Sequence, residues 1–330
     1  MPVEPTPKDA VFRDGTATLY RFRSEPTEAR RPGVLLVPSM INRWYILDLR
    51  EEASVAKAFV DAGFDTFLLD WGIPRDEDRY LTWDDVIRRL HRFVRRTKRL
   101  RGTDELGMLG YCMGATLCGI YLATHPSAVD AFANLAGPFD FSRSGLLGDM
   151  VNPEWFDGDA ISDAGNVAPP QMQSGFIAMR PTSQISKWVS LADRAGDDAF
   201  RRSFSALDEW ANDNIAFPAE AYRTYIRELY QENRLVEGEH WVGGKRADLG
   251  NITCPVLTVT ASNDHICPAD AATALNEHVG SEDTEVIVIQ GGHVGAVVGS
   301  RAAREAYPQI TQWFATRLKT ENDNERGVTA

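Results

Sequence analysis

LGMLGYCMGA, residues 106–115, is the stretch on which the fold turns. Its first half is apolar and short, as a buried strand is, and its second half opens a helical run that continues through TLCGIYLAT. Between them stands Gly110-Tyr111-Cys112-Met113-Gly114, a G-x-C-x-G pattern. Glycines at its ends let the backbone turn sharply and let strand and helix approach their neighbours. A strand that turns this abruptly into a helix lifts the central side chain to the carboxyl edge of a sheet, against the positive end of that helix. With cysteine at the centre, the pattern reads as a nucleophile elbow carrying sulfur in place of the usual hydroxyl, and the helix end favours its thiolate.

Outward from the elbow, short apolar runs alternate with helical ones. GVLLVP (residues 33–38) precedes AKAFVDAG, and TFLLDW (66–71) precedes DDVIRRLHRFV. The rhythm resumes late with PVLTVT (255–260), a helix after Pro268, EVIVI (285–289) and a last helix toward Trp313. Such alternation predicts an α/β protein with a mostly parallel central sheet flanked by helices, and the elbow makes it the α/β-hydrolase fold. The interval from about residue 139 to 249 breaks the rhythm and is rich in Trp, Phe, Met, Pro and Asp. It is expected to be a mainly helical cap inserted into a single catalytic domain, where long insertions usually meet ligands. Residues 1–9 and 320–330 are polar enough to be expected to fray.

A thiol nucleophile needs a base. In this fold the chain order is nucleophile, acid, histidine, the last two on loops after late strands. Asp264, in ASNDHICP, follows the run PVLTVT; His293, in GGHVG, follows EVIVI and is the candidate base, with Asp264 to orient its ring. His265 is a possible pocket residue by position, and Asp270, just past Pro268, reads as a helix start. The oxyanion hole should combine the backbone N–H of Met113 with one from the loop after GVLLVP, supplied by Met40 or Ile41. Cys118 falls inside the helix and reads as packing; Cys267 has no base pattern beside it.

Composition narrows the function further. The 330 residues are 43% hydrophobic, enough for one large core, and the net charge of −12 disfavours general attraction to nucleic acid. The four cysteines, Cys112, Cys118, Cys254 and Cys267, form no C-x-x-C pair and no zinc-finger spacing, so neither a metal site nor a disulfide framework is expected. With no signal-like start and no apolar run of about 20 residues, a cytoplasmic protein without a transmembrane segment is expected. One basic run, RRLHRFVRRTKRLR (88–101), carries Ile87, Leu90, Phe93 and Val94 at helical spacing beside it. It reads as a core-packed helix with a solvated basic face, or as a landing patch for a partner or an anionic ligand such as coenzyme A phosphates.

Several segments together resemble the polyhydroxyalkanoate synthases: INRWYILDL (41–49), FLLDWGIP followed by LTWDDVI, LGYCMGA, YQENRLVEGE (230–239), DLGNITCPVLTVTASNDHICP and GGHVG. The resemblance runs from about residue 30 to 315. It implies polymerisation of (R)-3-hydroxyacyl-coenzyme A thioesters into polyester with release of coenzyme A, without cofactor or metal. By the same resemblance Cys112 carries the growing chain, His293 deprotonates the thiol and the incoming 3-hydroxyl, and Asp264 supports the His or the hydroxyl. Lacking the long amino-terminal domain of single-subunit synthases, the chain is similar to class III or class IV catalytic subunits, which implies a small partner subunit, a homodimer and a place at the polyester granule surface. Ala115 departs from the second glycine usual after the elbow, a difference expected to bear on helix packing. The alternatives are an esterase, thioesterase or polyester-mobilising hydrolase on the same scaffold, and a granule-associated protein whose site is no longer used.

Overall fold

The alternating side chains of GVLLV sort into two layers: Leu35 and Val37 pack on one face of a sheet, Val34 and Leu36 on the other, all fully buried. The computed structural model describes residues 5–24, 32–179 and 188–318. Its main sheet has eight strands, β1 (Lys8–Asp14), β2 (Ala17–Phe22), β3 (Gly33–Val37), β4 (Asp65–Asp70), β5 (Leu106–Tyr111), β6 (Ala131–Leu135), β7 (Val256–Ala261) and β8 (Thr284–Ile289). They lie in the order β1-β2-β4-β3-β5-β6-β7-β8. β1 and β2 form an antiparallel hairpin and β2 runs antiparallel to β4; every other neighbouring pair is parallel. The fold is therefore α/β, with the predicted parallel core.

Register brings the carboxyl ends together. Val37 pairs with Gly110, Tyr111 with Leu135, Leu135 with Val259, and Ala261 with Ile289. The loops that leave these strands consequently open on one edge of the sheet, and every candidate residue named above follows one of them.

The layer under Leu35 is closed by α1 (Trp83–Arg101) and α2 (Met113–Thr124). Thr82 caps the first reciprocally with Asp85, Gly102 ends it at φ 71°, and its apolar stripe of Val86, Ile87, Leu90, Phe93 and Val94 is buried as the spacing predicts. A long insertion separates β6 from β7, and its helices include α3 (Pro169–Met179), α4 (Asp198–Asn212) and α5 (Ala219–Thr224). α6 (Ala269–His278) then follows β7, with Asp270 in its first turn.

The amino-terminal expectation needs correction. Lys8 and Asp9 do not fray, because they pair with Phe22 and Arg21 in the hairpin, and the Thr6 hydroxyl donates to buried Asp48 at 2.6 Å. Residues 1–4 and 320–330 lie outside the described residues. No helix among the described residues is long and apolar enough to cross a membrane.

Candidate active site

Cys112 joins β5 to α2 at φ 55° and ψ −134°, a backbone that side-chain-bearing residues rarely adopt. Its glycine neighbours are required by close approach. A β-carbon on Gly110 would lie 2.3 Å from the Ala115 Cα, and one on Gly114 would lie 2.3 Å from the Val37 carbonyl oxygen. The Ala115 methyl finds its room across the turn at Gly137, where an added β-carbon would come within 2.5 Å of it. The departure at residue 115 is thus absorbed by packing, as expected of a difference in the helix. The result is a partly exposed sulfur at the amino end of a 12-residue helix.

The acid and the imidazole arrive on two loops that are tied together: the Asn263 N–H donates to the Gly291 carbonyl at 2.8 Å, and the Ser262 N–H to that of Ile289 at 2.9 Å. His293 Nδ1 lies 2.7 Å from Asp264 Oδ2, and both side chains are buried. A carboxylate only accepts, so Nδ1 carries the donated proton and Nε2 is left for other work. The second carboxylate oxygen accepts the N–H groups of Ile266 and Cys267 at 2.9 and 2.8 Å, which locks the acid in place. Burial opposes a charged His293, yet the charge of Cys112, hydrogen bonds to Asp264 and Cys112, and the charge of Asp264 together push it from 6.5 up to about 10. Cys112, His293 and Asp264 are therefore brought together. The ring of Tyr111 stacks on His293 with centroids 5.4 Å apart, a contact the sequence reading did not include.

The same turn explains why His265 is not a pocket residue. With Asp264 turned inward to accept from the two following N–H groups, His265 points out and is exposed, while Ile266 and Cys267 line the cleft. Burial, then the charges of Asp264 and Cys112, raises the Cys267 thiol well above its ordinary range, as burial does for Cys118. Burial and the Asp130 charge push Cys254 up to about 12. These three remain neutral thiols at neutral pH.

Above Cys112 lies a cleft of about 170 Å³. Ile41 and Met113, the neighbours expected around an oxyanion, also line it, and the insertion contributes Met150, Phe156, Met172, Phe176, Tyr225 and Tyr230. Tyr225 and Tyr230 meet edge to face, centroids 5.3 Å apart. Nothing in the local pattern of AEAYRTYIRELYQ marks these tyrosines; a one-turn π-helical stretch, Tyr225–Gln231, turns both toward the cleft.

The basic end of α1 sits elsewhere. Arg95, Lys98 and Arg99 surround a surface hollow with Gly102 and Thr103, next to the start of β5. Six strand residues, roughly 20 Å, separate that edge from Cys112. The hollow therefore lies at the opposite edge of the sheet from Cys112.

The sequence matches the family described as alpha/beta hydrolase fold over residues 32–300, and the poly-beta-hydroxybutyrate polymerase (PhaC) N-terminus over residues 2–59. It is 33% identical over 317 residues to the poly(3-hydroxyalkanoate) polymerase subunit PhaC of Allochromatium vinosum, covering 94% of this chain and 89% of that protein. The chain belongs to the poly(3-hydroxyalkanoate) polymerase family. The PhaC subunit of Synechocystis sp. is 30% identical, with 94% of this chain and 85% of that protein covered. That of Haloferax mediterranei is 33% identical over 96% of this chain, which spans only 65% of the relative's length. Among solved structures, a soluble variant of monoglyceride lipase from Saccharomyces cerevisiae superposes with a TM-score of 0.58 at 14% identity, covering 94% of this chain and 96% of that one. A lipase-esterase related protein from Clostridium acetobutylicum gives 0.55 at 14% identity, over 90% and 99%. These two share this chain's fold.

Proposed function

We propose that this chain polymerises 3-hydroxyacyl-coenzyme A thioesters into polyester through an acyl-Cys112 intermediate. The observation that carries the reading is a sulfur at the elbow, partnered by a histidine whose other nitrogen is held by a buried carboxylate, beneath a cleft lined by apolar and tyrosine side chains. His293 Nε2 takes the Cys112 proton; the thiolate attacks the thioester carbonyl; the bond to the coenzyme A sulfur breaks, and that sulfur leaves with the proton returned from His293. A 3-hydroxyl then attacks the acyl-Cys112 carbonyl, losing its proton to His293; the bond to the Cys112 sulfur breaks, that sulfur takes the proton back from His293, and the ester chain is one unit longer. Exchange of one thioester for another is nearly balanced, which suits sulfur at this position better than oxygen.

The developing oxyanion needs two donors. Met113 N–H stands at the head of α2, and the Ile41 N–H is turned to the Ser39 hydroxyl at 3.4 Å. That engagement favours Met40 as the second donor. The insertion acts as a cap, whose Met, Phe and Tyr side chains keep water from the acyl-enzyme. A smaller partner subunit belongs to the same proposal, since several relatives bear the name of a subunit.

Incubation with 3-hydroxybutyryl-coenzyme A tests the reading by intact mass and product analysis. An acyl adduct confined to Cys112 together with insoluble polyester is expected, and Cys112→Ala should abolish both. Free 3-hydroxybutyrate as the sole product would overturn the polymerase assignment in favour of a hydrolase.

A further inference from the structure

The loop after β3 has two sides. Inward, it presses on the elbow: the Trp71 indole N–H donates to the Pro38 carbonyl at 2.9 Å, and Gly114 admits that carbonyl only because it lacks a β-carbon. Met40 and Ile41 are buried there, Ile41 in the cleft wall. Outward, three of the next four residues are gripped by one short piece of the insertion, about 170 positions away in sequence. The Asn42 amide donates to Asn214 Oδ1 at 2.8 Å, the Tyr45 hydroxyl to Asp213 Oδ2 at 2.9 Å, and the Trp210 indole N–H to the Arg43 carbonyl at 2.8 Å. Arg43 Nε also lies 3.5 Å from Asp213 Oδ2.

The gripping piece is itself rigid. Residues 210–214 are the last turn of α4 and the step beyond it: the Asp213 N–H closes the helix on Glu209 and Trp210, and the Asn214 amide returns a hydrogen bond to the Ala211 carbonyl at 2.9 Å. Trp210 is buried in the core layer on the far side of the sheet from α1 and α2, with Trp44, Tyr45 and Leu47. Four polar contacts from one turn therefore fix the loop's outer side while the elbow fixes its inner side.

We propose that Trp210, Asp213 and Asn214 are positioning residues that hold the loop of Met40 and Ile41 at the height an oxyanion requires, so that the placement of α4 sets the rate of acyl transfer. The proposal rests on the acyl-Cys112 reading above. An oxyanion donor acts over a narrow range of distance, and a displacement near 1 Å costs about a hundredfold in rate. None of the three needs to touch substrate for this.

Two reactions of Cys112 separate the idea from general damage. Acylation by 3-hydroxybutyryl-coenzyme A passes through an oxyanion; alkylation by iodoacetamide displaces iodide at carbon and forms none, while still requiring the thiolate. In Asp213→Ala and in the milder Trp210→Phe, acylation should fall, by about a hundredfold in the first, through kcat with KM little changed. Alkylation should keep its wild-type rate, and Asp213→Asn, which preserves an acceptor for Tyr45, should recover much of the loss. If acylation and alkylation fall together in both variants, or if neither falls, the proposal is overturned. Failure of the acyl-enzyme reading would look different: wild-type Cys112 would alkylate normally and never acquire an acyl group.

Discussion

At the carboxyl edge of the sheet a buried acid meets a base as Asp264 and His293, 2.7 Å apart; at the amino edge a buried acid meets two bases, Asp65 with Arg21 at 2.8 Å and Arg101 at 3.1 Å. The two sites share a sheet, low exposure and the same carboxylate chemistry, yet only one can move a proton. A guanidinium stays charged under all working conditions, so Asp65 serves as a fastener between β2, β4 and the end of α1. An imidazole has two unlike nitrogens, so anchoring one at Asp264 leaves the other to exchange a proton with Cys112. What separates chemistry from scaffolding here is the cation's ability to let go.

The sharpest way to break that comparison is Asp264→Asn. It leaves the shape intact but no longer selects the Nδ1–H tautomer, and turnover should fall on the order of a thousandfold or more while the fold's denaturant midpoint shifts little. A loss of less than tenfold would mean that Asp264 merely closes a turn. At the other edge, Asp65→Asn leaves two guanidiniums facing a neutral amide. We expect a loss of about 3 kcal/mol in urea unfolding, with acylation rate per folded molecule unchanged; an activity loss without a stability loss would show that the edges are not independent.

The smallest effect is one of pH. Because His293 is raised from 6.5 to about 10, its contribution to stability is complete below about pH 6.5 and is lost as pH climbs toward about 10. The Tm of the wild type should thus decline relative to His293→Gln across that window, by a few degrees, and parallel curves would contradict an imidazolium stabilised by Cys112.

How much of this was legible beforehand follows from how locally each feature is encoded. The elbow, the parallel strands and the order of Cys112, Asp264 and His293 are written in short windows, where period and turn residues decide. The hairpin of β1 and β2 has only Asp14-Gly15 to announce it, with Gly15 at φ 62°; its strands mix exposed charge with apolar residues and so lack the apolar runs seen elsewhere. The run EVIVI marks β8, but its edge position, which leaves Val286 and Val288 exposed, depends on the sheet's order and on no residue within it. His265 failed for a finer reason, since the direction of a single side chain depends on which N–H groups Asp264 accepts. The grip of Asp213 and Asn214 on residues 42–45 lies beyond any local pattern: it joins segments far apart in the chain, each of which alone reads as an ordinary loop.

The backbone at Cys112 carries one more consequence. Holding a residue with a β-carbon at φ 55° costs on the order of 1–3 kcal/mol that glycine would largely escape. The molecule accordingly gives up thermodynamic security at its most reactive atom, and a descendant released from selection for catalysis would have an uphill-to-downhill route open at this position: the first glycine to appear there would make a sturdier, inert protein.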